Sequence, residues 1–179
     1  MILIISVCTD ELSELEFVKP VEKILKNKNA KFFTRKYLGI SQDDLNNSET
    51  VIICGTALKD FDYLENIDRF AWLKDFEKPV LGICAGAQII GKIFEGDLIS
   101  KTMIGKFKVK VKDENKLTNK KEFYSYFLST IAVKAKAPLR VLAKSGKMGC
   151  IIKHETKEVY GCLFHPEVLN SEIIRSFCT

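Results

Sequence analysis

Long apolar runs are missing from this chain: none approaches the roughly 18 residues that a membrane-crossing helix needs. The first residues carry no basic segment, extended apolar stretch and small-residue cleavage site in succession. No secretory signal is therefore expected, and the cytoplasm is the expected compartment. The six cysteines, Cys8, Cys54, Cys84, Cys150, Cys162 and Cys178, contain no Cys-x-x-Cys pair and no zinc-like spacing. Reduced thiols without a structural metal are the expectation. No block of Lys and Arg is interleaved with stacking aromatics, so the formal charge of +5 reads as a solvated lysine-rich surface rather than a nucleic-acid site. Histidine is scarce, at two residues, which leaves few candidates for proton transfer near neutrality. Repeats, low-complexity linkers and anything like an ATP-binding loop are also absent.

What is present describes an ordinary globular chain. With 179 residues, 46% hydrophobic and 28% charged, it has the size of one domain with a sizeable core, spanning residues 1–179. Ile2 to Val7 is an apolar run interrupted only by Ser6 and predicts a first central strand. Ser13 and Glu16 stand at capping-box spacing before the helical stripe Phe17, Val18, Val21, Ile24 and Leu25, with Pro20 marking a kink or a later start. Ala30–Thr34 and Val51–Cys54 read as further strands, with a polar connection over Tyr37–Thr50 between them. Phe61 to Phe76 has weak helical character, with Trp72 as an anchor of helix to sheet. Strands alternating with helices imply an α/β fold, an open and mostly parallel sheet with helices on both faces.

After Gly96 the texture changes. Phe107-Lys-Val-Lys-Val111 alternates strictly, and short strands are predicted at Phe123–Phe127, Ile131–Ala135, Arg140–Ala143 and Met148–Ile152. These read as antiparallel ribbons inserted before a last core strand, Val159–Phe164. Asn170 or Ser171 caps a closing helix that carries Ile173, Ile174 and Phe177.

The chemistry concentrates in two stretches. Val80, Leu81 and Ile83 form a buried strand, Gly82 and Gly86 flank Cys84, and Ile89, Ile90 and Ile93 then follow helical spacing. Strand, tight turn and helix make a nucleophile elbow with Cys in the reactive position, where the helix N-terminus favours thiolate. Plain packing of a buried Cys is the alternative reading. The second stretch is His165-Pro-Glu167 at the end of the last strand: a base for the thiol, and an acceptor to orient that base. His154 is also followed by Glu but lacks the strand and the proline, and a surface turn is predicted for it. Cys54 comes close to Cys84 if the two strand ends are neighbours; core packing is the favoured reading over a redox pair.

Gly82-Ile-Cys-Ala-Gly-Ala-Gln88 together with Phe164-His-Pro-Glu167 resembles the hallmark pair of the class I (triad) glutamine amidotransferases, and the resemblance covers nearly the whole chain. It implies a flavodoxin-like sheet with a small antiparallel ribbon insertion. It also implies hydrolysis of the glutamine side-chain amide through a thioester on Cys84, with His165 and Glu167 completing the triad. Backbone N–H groups of Ala85 and Gly55 are then the expected oxyanion donors, and Gln88 helps to shape the glutamine pocket. No cofactor is implied. The implied partner is a separate synthetase of ATP-pyrophosphatase type, to which ammonia passes. Within the family, size and the tail Lys157–Val168 resemble the stand-alone amidotransferase of two-subunit GMP synthases. The alternatives are the corresponding component of anthranilate or aminodeoxychorismate synthase, and a catalytically weak binding or regulatory relative.

Three departures from the family pattern stand out. The loop Cys54-Gly55-Thr56-Ala57 has one glycine where two are usual, which restricts a peptide flip into the oxyanion hole. Ala87 replaces a common His, and Tyr124–Thr130 lacks the usual Ser-His pair.

Overall fold

The computed structural model describes residues 1–179. β1 is Ile2–Ser6, buried at every position, as the apolar run Ile2–Ile5 demands of a central parallel strand. Helix α1 (Glu11–Phe17) follows, capped by the Asp10 carboxylate, which accepts from Leu12 N–H at 3.1 Å. The Ser13 box is therefore displaced by an equally good cap standing closer to the end of β1. The break before Pro20 is real: α2 runs Lys19–Lys26 with the proline in its first turn. β2 is Phe32–Lys36, two residues later than predicted, set by its parallel register of Ile2 against Phe32. The expected polar connection contains α3 (Gln42–Asn47), started by a capping box between Ser41 and Asp44.

β3 (Thr50–Ile53), α4 (Asp62–Glu65), β4 (Val80–Ile83) and α5 (Ala85–Ile93) come next. Between α4 and β4, the Ile67–Lys74 segment is a 3₁₀ turn, and Trp72 packs edge-on against Phe76 at 5.2 Å. β5 (Asp97–Val111) and β6 (Glu122–Lys134) are far longer than their predicted fragments and pair with each other antiparallel through a bulge near Ser100. β7 (Leu139–Ser145), β8 (Met148–His154) and β9 (Val159–Cys162) follow, and the chain closes with α6 (Pro166–Leu169) and α7 (Ser171–Phe177).

All nine strands share one sheet in the order β2-β1-β3-β4-β9-β8-β7-β5-β6. The five strands from β2 to β9 are parallel; from β9 outward every pairing is antiparallel. The α/β class holds, and the antiparallel part is a four-stranded extension of the same sheet rather than a separate ribbon. Helices α1, α2, α6 and α7 pack as one group, while α5 packs on β3, β4 and β9 with α4 beside it. This arrangement brings the carboxyl ends of β1, β3, β4 and β9 to one edge, where crevices of such sheets form. No helix is long and apolar enough to cross a membrane.

His154 corrects the prediction of a surface turn. It is buried at the end of β8, edge-on to Phe94 at 4.7 Å, and its Nδ1 accepts from the N–H groups of Thr156 and Lys157 at 3.3 and 3.2 Å. A turn is present, but the ring lies inside it as its internal acceptor.

Candidate active site

Cys84 stands between the end of β4 and the first residue of α5, with φ 48° and ψ −99°. A non-glycine residue at positive φ carries strain of order 1–3 kcal/mol, and such strain concentrates where a side chain must be presented at a sharp turn. The turn is possible only because its neighbours are small. A Cβ on Gly82 would run into the backbone of Gly86, and one on Gly86 into the Ile53 carbonyl. The backbone is anchored on both sides: Cys84 N–H donates to Cys162 O at 2.8 Å, and Gln88 N–H donates to Cys84 O at 3.0 Å. The thiol sits at the positive end of α5. It donates to the Leu128 carbonyl of β6 at 3.5 Å.

His165 leaves β9 with its N–H donating to Tyr126 O at 2.8 Å, which fastens the strand exit to β6. Its ring is buried against Phe17, at 5.5 Å between centroids. Nδ1 is 2.7 Å from Glu167 Oε1, whose side chain is wholly buried, so Nδ1 carries the proton toward the carboxylate. Pro166 opens α6 and turns Glu167 back beneath the ring. Burial works against a charged imidazole. The negative field of Cys84 and then of Glu167, with the Nδ1–Glu167 hydrogen bond, outweighs it and holds the His165 pKa well above the ordinary histidine value. Nε2 is buried and has no hydrogen-bond partner in the protein.

Gly55 shows how tightly these groups converge. A Cβ placed there would lie 2.8 Å from His165 Cε1 and 3.4 Å from Cys84 Cβ. Gly55 therefore touches both, and only a residue without a side chain fits. Ala85 is the first residue of α5, so its N–H is among the unpaired amides of that helix start. The structure thus brings Cys84, His165, Glu167, Gly55 and Ala85 together.

Gln88, one turn into α5, is buried and fully engaged. Its Nε2 donates to Ser129 Oγ at 2.9 Å and Ile131 O at 3.2 Å, while its Oε1 accepts from the Tyr63 hydroxyl. It builds the cleft wall by tying α4 to β6. Tyr63 and Ser129 carry no local motif and escape sequence reasoning; so does Asp60. The Asp60 carboxylate accepts from Thr9 N–H at 2.8 Å, Thr9 Oγ1 at 2.7 Å and Thr56 Oγ1 at 2.7 Å. It thereby latches the loop after β3 to the loop after β1. The cleft beside Cys84 is walled by Thr56, Phe61 and Tyr63 on one side and Leu128 and Ser129 on the other. The space between them is about 10 Å³, no more than one water needs.

The other thiols differ in character. All six cysteines are free. Burial pushes the Cys54 and Cys162 thiols well above their ordinary range, and Cys150 up to about 12. These are packing residues. No group of three or more His, Cys, Asp or Glu side chains is gathered to hold a metal.

The family model "Glutamine amidotransferase class-I" matches residues 18–176. A glutamine-hydrolyzing GMP synthase subunit of Methanococcus maripaludis strain C5 is 34% identical over 163 residues, covering 80% of this chain and 85% of that protein. Among solved structures, a Thermoplasma acidophilum protein described as a candidate GMP synthase subunit superposes with TM-score 0.85 at 20% identity, covering 99% of this chain and 92% of that one. A glutamine amidotransferase from Thermotoga maritima gives TM-score 0.71 at 17% identity, over 93% and 76% of the two chains.

Proposed function

The chain belongs to the class I glutamine amidotransferase family, and on that premise we propose that it is the glutamine-hydrolysing subunit of a two-subunit GMP synthase, acting as one domain over residues 1–179. The name borne by the Methanococcus relative supports the reading. The observation that carries it is the convergence of Cys84, His165 and Glu167 around Gly55.

In the proposed reaction the Cys84 thiolate attacks the side-chain amide carbon of glutamine. The carbonyl electrons move onto oxygen, where the N–H groups of Ala85 and Gly55 receive them, each donor worth about 3 kcal/mol of barrier. His165 gives its Nε2 proton to the departing nitrogen, the C–N bond breaks, and ammonia leaves a glutamyl thioester on Cys84. A water then passes a proton to Nε2 and attacks the thioester. The C–S bond breaks, and glutamate and the thiolate are released. Throughout, Glu167 holds the ring so that Nε2 faces the sulfur.

Ammonia released freely would be lost, and the narrow cleft agrees with a resting state in the free chain. Docking of a synthetase of ATP-pyrophosphatase type supplies the differential binding energy that opens it. The test is reconstitution with the synthetase subunit of the same genome, following GMP formation. The wild-type pair should accept glutamine, and a pair carrying Cys84→Ala should accept only an ammonium salt. A wild-type pair that uses the ammonium salt but never glutamine would overturn the reading.

A further inference from the structure

The outer face of β5 is a ladder of lysines. Lys106, Lys108, Lys110 and Lys112 fall on alternate positions and are all exposed, while Val109 between them is buried. Across β6 the neighbours of the first three are Tyr126, Tyr124 and Glu122; on the other side Lys110 stands directly opposite Lys144 of β7. Lys108, Lys110, Lys112, Lys144 and Lys147 wall a shallow groove. Internal compensation is slight. Lys108 pairs with Glu122 at 2.7 Å, and Lys106 lies over the Tyr124 ring at 5.2 Å. Like charges placed directly opposite across a ladder destabilise it, so the fold carries the Lys110–Lys144 pair against its own stability.

This face is continuous with the cleft. The next pairs along the ladder are Lys106 with Tyr126 and Ile104 with Leu128. The carbonyls of Tyr126 and Leu128 are those that hold the His165 backbone and the Cys84 thiol. Ile104 and Tyr124 are 50% and 53% exposed. An apolar and aromatic step thus stands at the cleft rim, with a net positive charge beyond it that Glu122 offsets only in part.

Resting on the function proposed above, we propose that this face of β5, β6 and β7 docks an acidic surface of the partner synthetase, bringing that enzyme over the cleft. Charge complementarity and continuity with the point where ammonia is released both favour that occupant. Electrostatic attraction would steer the encounter, and Ile104 and Tyr124 would supply the desolvated contact.

The experiment titrates the synthetase into wild type and into Lys110→Glu/Lys112→Glu/Lys144→Glu, reading glutamine hydrolysis. The triple variant should keep its basal rate, need at least about tenfold more synthetase for half-stimulation, and lose the salt dependence that wild type shows. Lys144→Glu alone should raise the melting temperature of the isolated chain while weakening stimulation, an outcome that a merely structural role does not give. Equal stimulation of wild type and triple variant would overturn the docking surface alone. So would tight binding of a mixed-sequence RNA, lost in the variant while stimulation is unchanged. A wild-type chain that no synthetase stimulates would instead remove the proposed function and the docking surface with it.

Discussion

The hydroxyl of Thr56 donates to the carboxylate of Asp60 at 2.7 Å, and the same carboxylate holds both the N–H and the hydroxyl of Thr9. Thr56 stands where the family usually has a second glycine, next to Gly55, which touches Cys84 and His165. The substituted residue is therefore the handle of a latch. Hydrogen bonds converging on one carboxylate hold the loop after β3 in a single position while the cleft stays narrow.

Releasing that latch is expected to raise basal glutamine hydrolysis. Asp60→Ala and Thr56→Gly should each increase the rate of the free chain roughly tenfold, the scale of one hydrogen bond to a charged group. Both should shrink the stimulation by synthetase. Thr56→Ser, which keeps the hydroxyl, should behave as wild type. A fall in basal rate on Asp60→Ala, at unchanged melting temperature, would mean that the latch holds the working loop and not the resting one.

The two histidines should titrate on opposite sides of the ordinary value. His165 is raised by Cys84 and Glu167 against burial; His154 is lowered by burial, helped by Lys157 and Lys153. A raised pKa gives stability that is complete below about 6.5 and lost as pH rises through the folded value. A lowered one gives stability that is present above about 6.5 and lost as pH falls. Imidazole NMR of the chain should show two well-separated titrations, and Glu167→Gln should lower only the upper one. Coincident titrations near about 6.5 would contradict the ion-pair geometry.

Alanine at the same two positions should separate activity from stability. His165→Ala should cut stimulated turnover by about 10²- to 10⁴-fold, the usual worth of a general acid–base group. His154→Ala should leave turnover per folded molecule intact but cost about 1–3 kcal/mol, because the N–H groups of Thr156 and Lys157 lose their buried acceptor. Thermal melts beside the assay check both. Matching activity losses would contradict the division of roles.

The parts legible in the sequence are those whose cause is local. Ile2–Ser6 and Val80–Ile83 are buried on both faces, so Ile2–Ile5 and Val80–Ile83 read as continuous apolar runs. Gly82, Cys84 and Gly86 announce their turn because backbone contact there admits no side chain. His165 and Glu167 are two residues apart and meet within one turn. What stays hidden depends on distant partners. β5 and β6 are half exposed, and lysines and serines interrupt the pattern that would reveal their length. His154 resembles a surface residue because its burial comes from Phe94, far away in the chain. Asp60 reads as one more loop carboxylate until β1 and β3 bring Thr9 and Thr56 to it. The lysines of β5 form a patch only once β7 places Lys144 beside Lys110.

The covalent intermediate tests the central claim most directly. The chain is mixed with glutamine and its synthetase, quenched in acid during turnover, and digested for mass spectrometry. A glutamyl adduct should appear on the peptide that contains Cys84 and be absent in Cys84→Ala. Glutamate release at full rate with no adduct on Cys84, or with the adduct on another cysteine, would contradict the account.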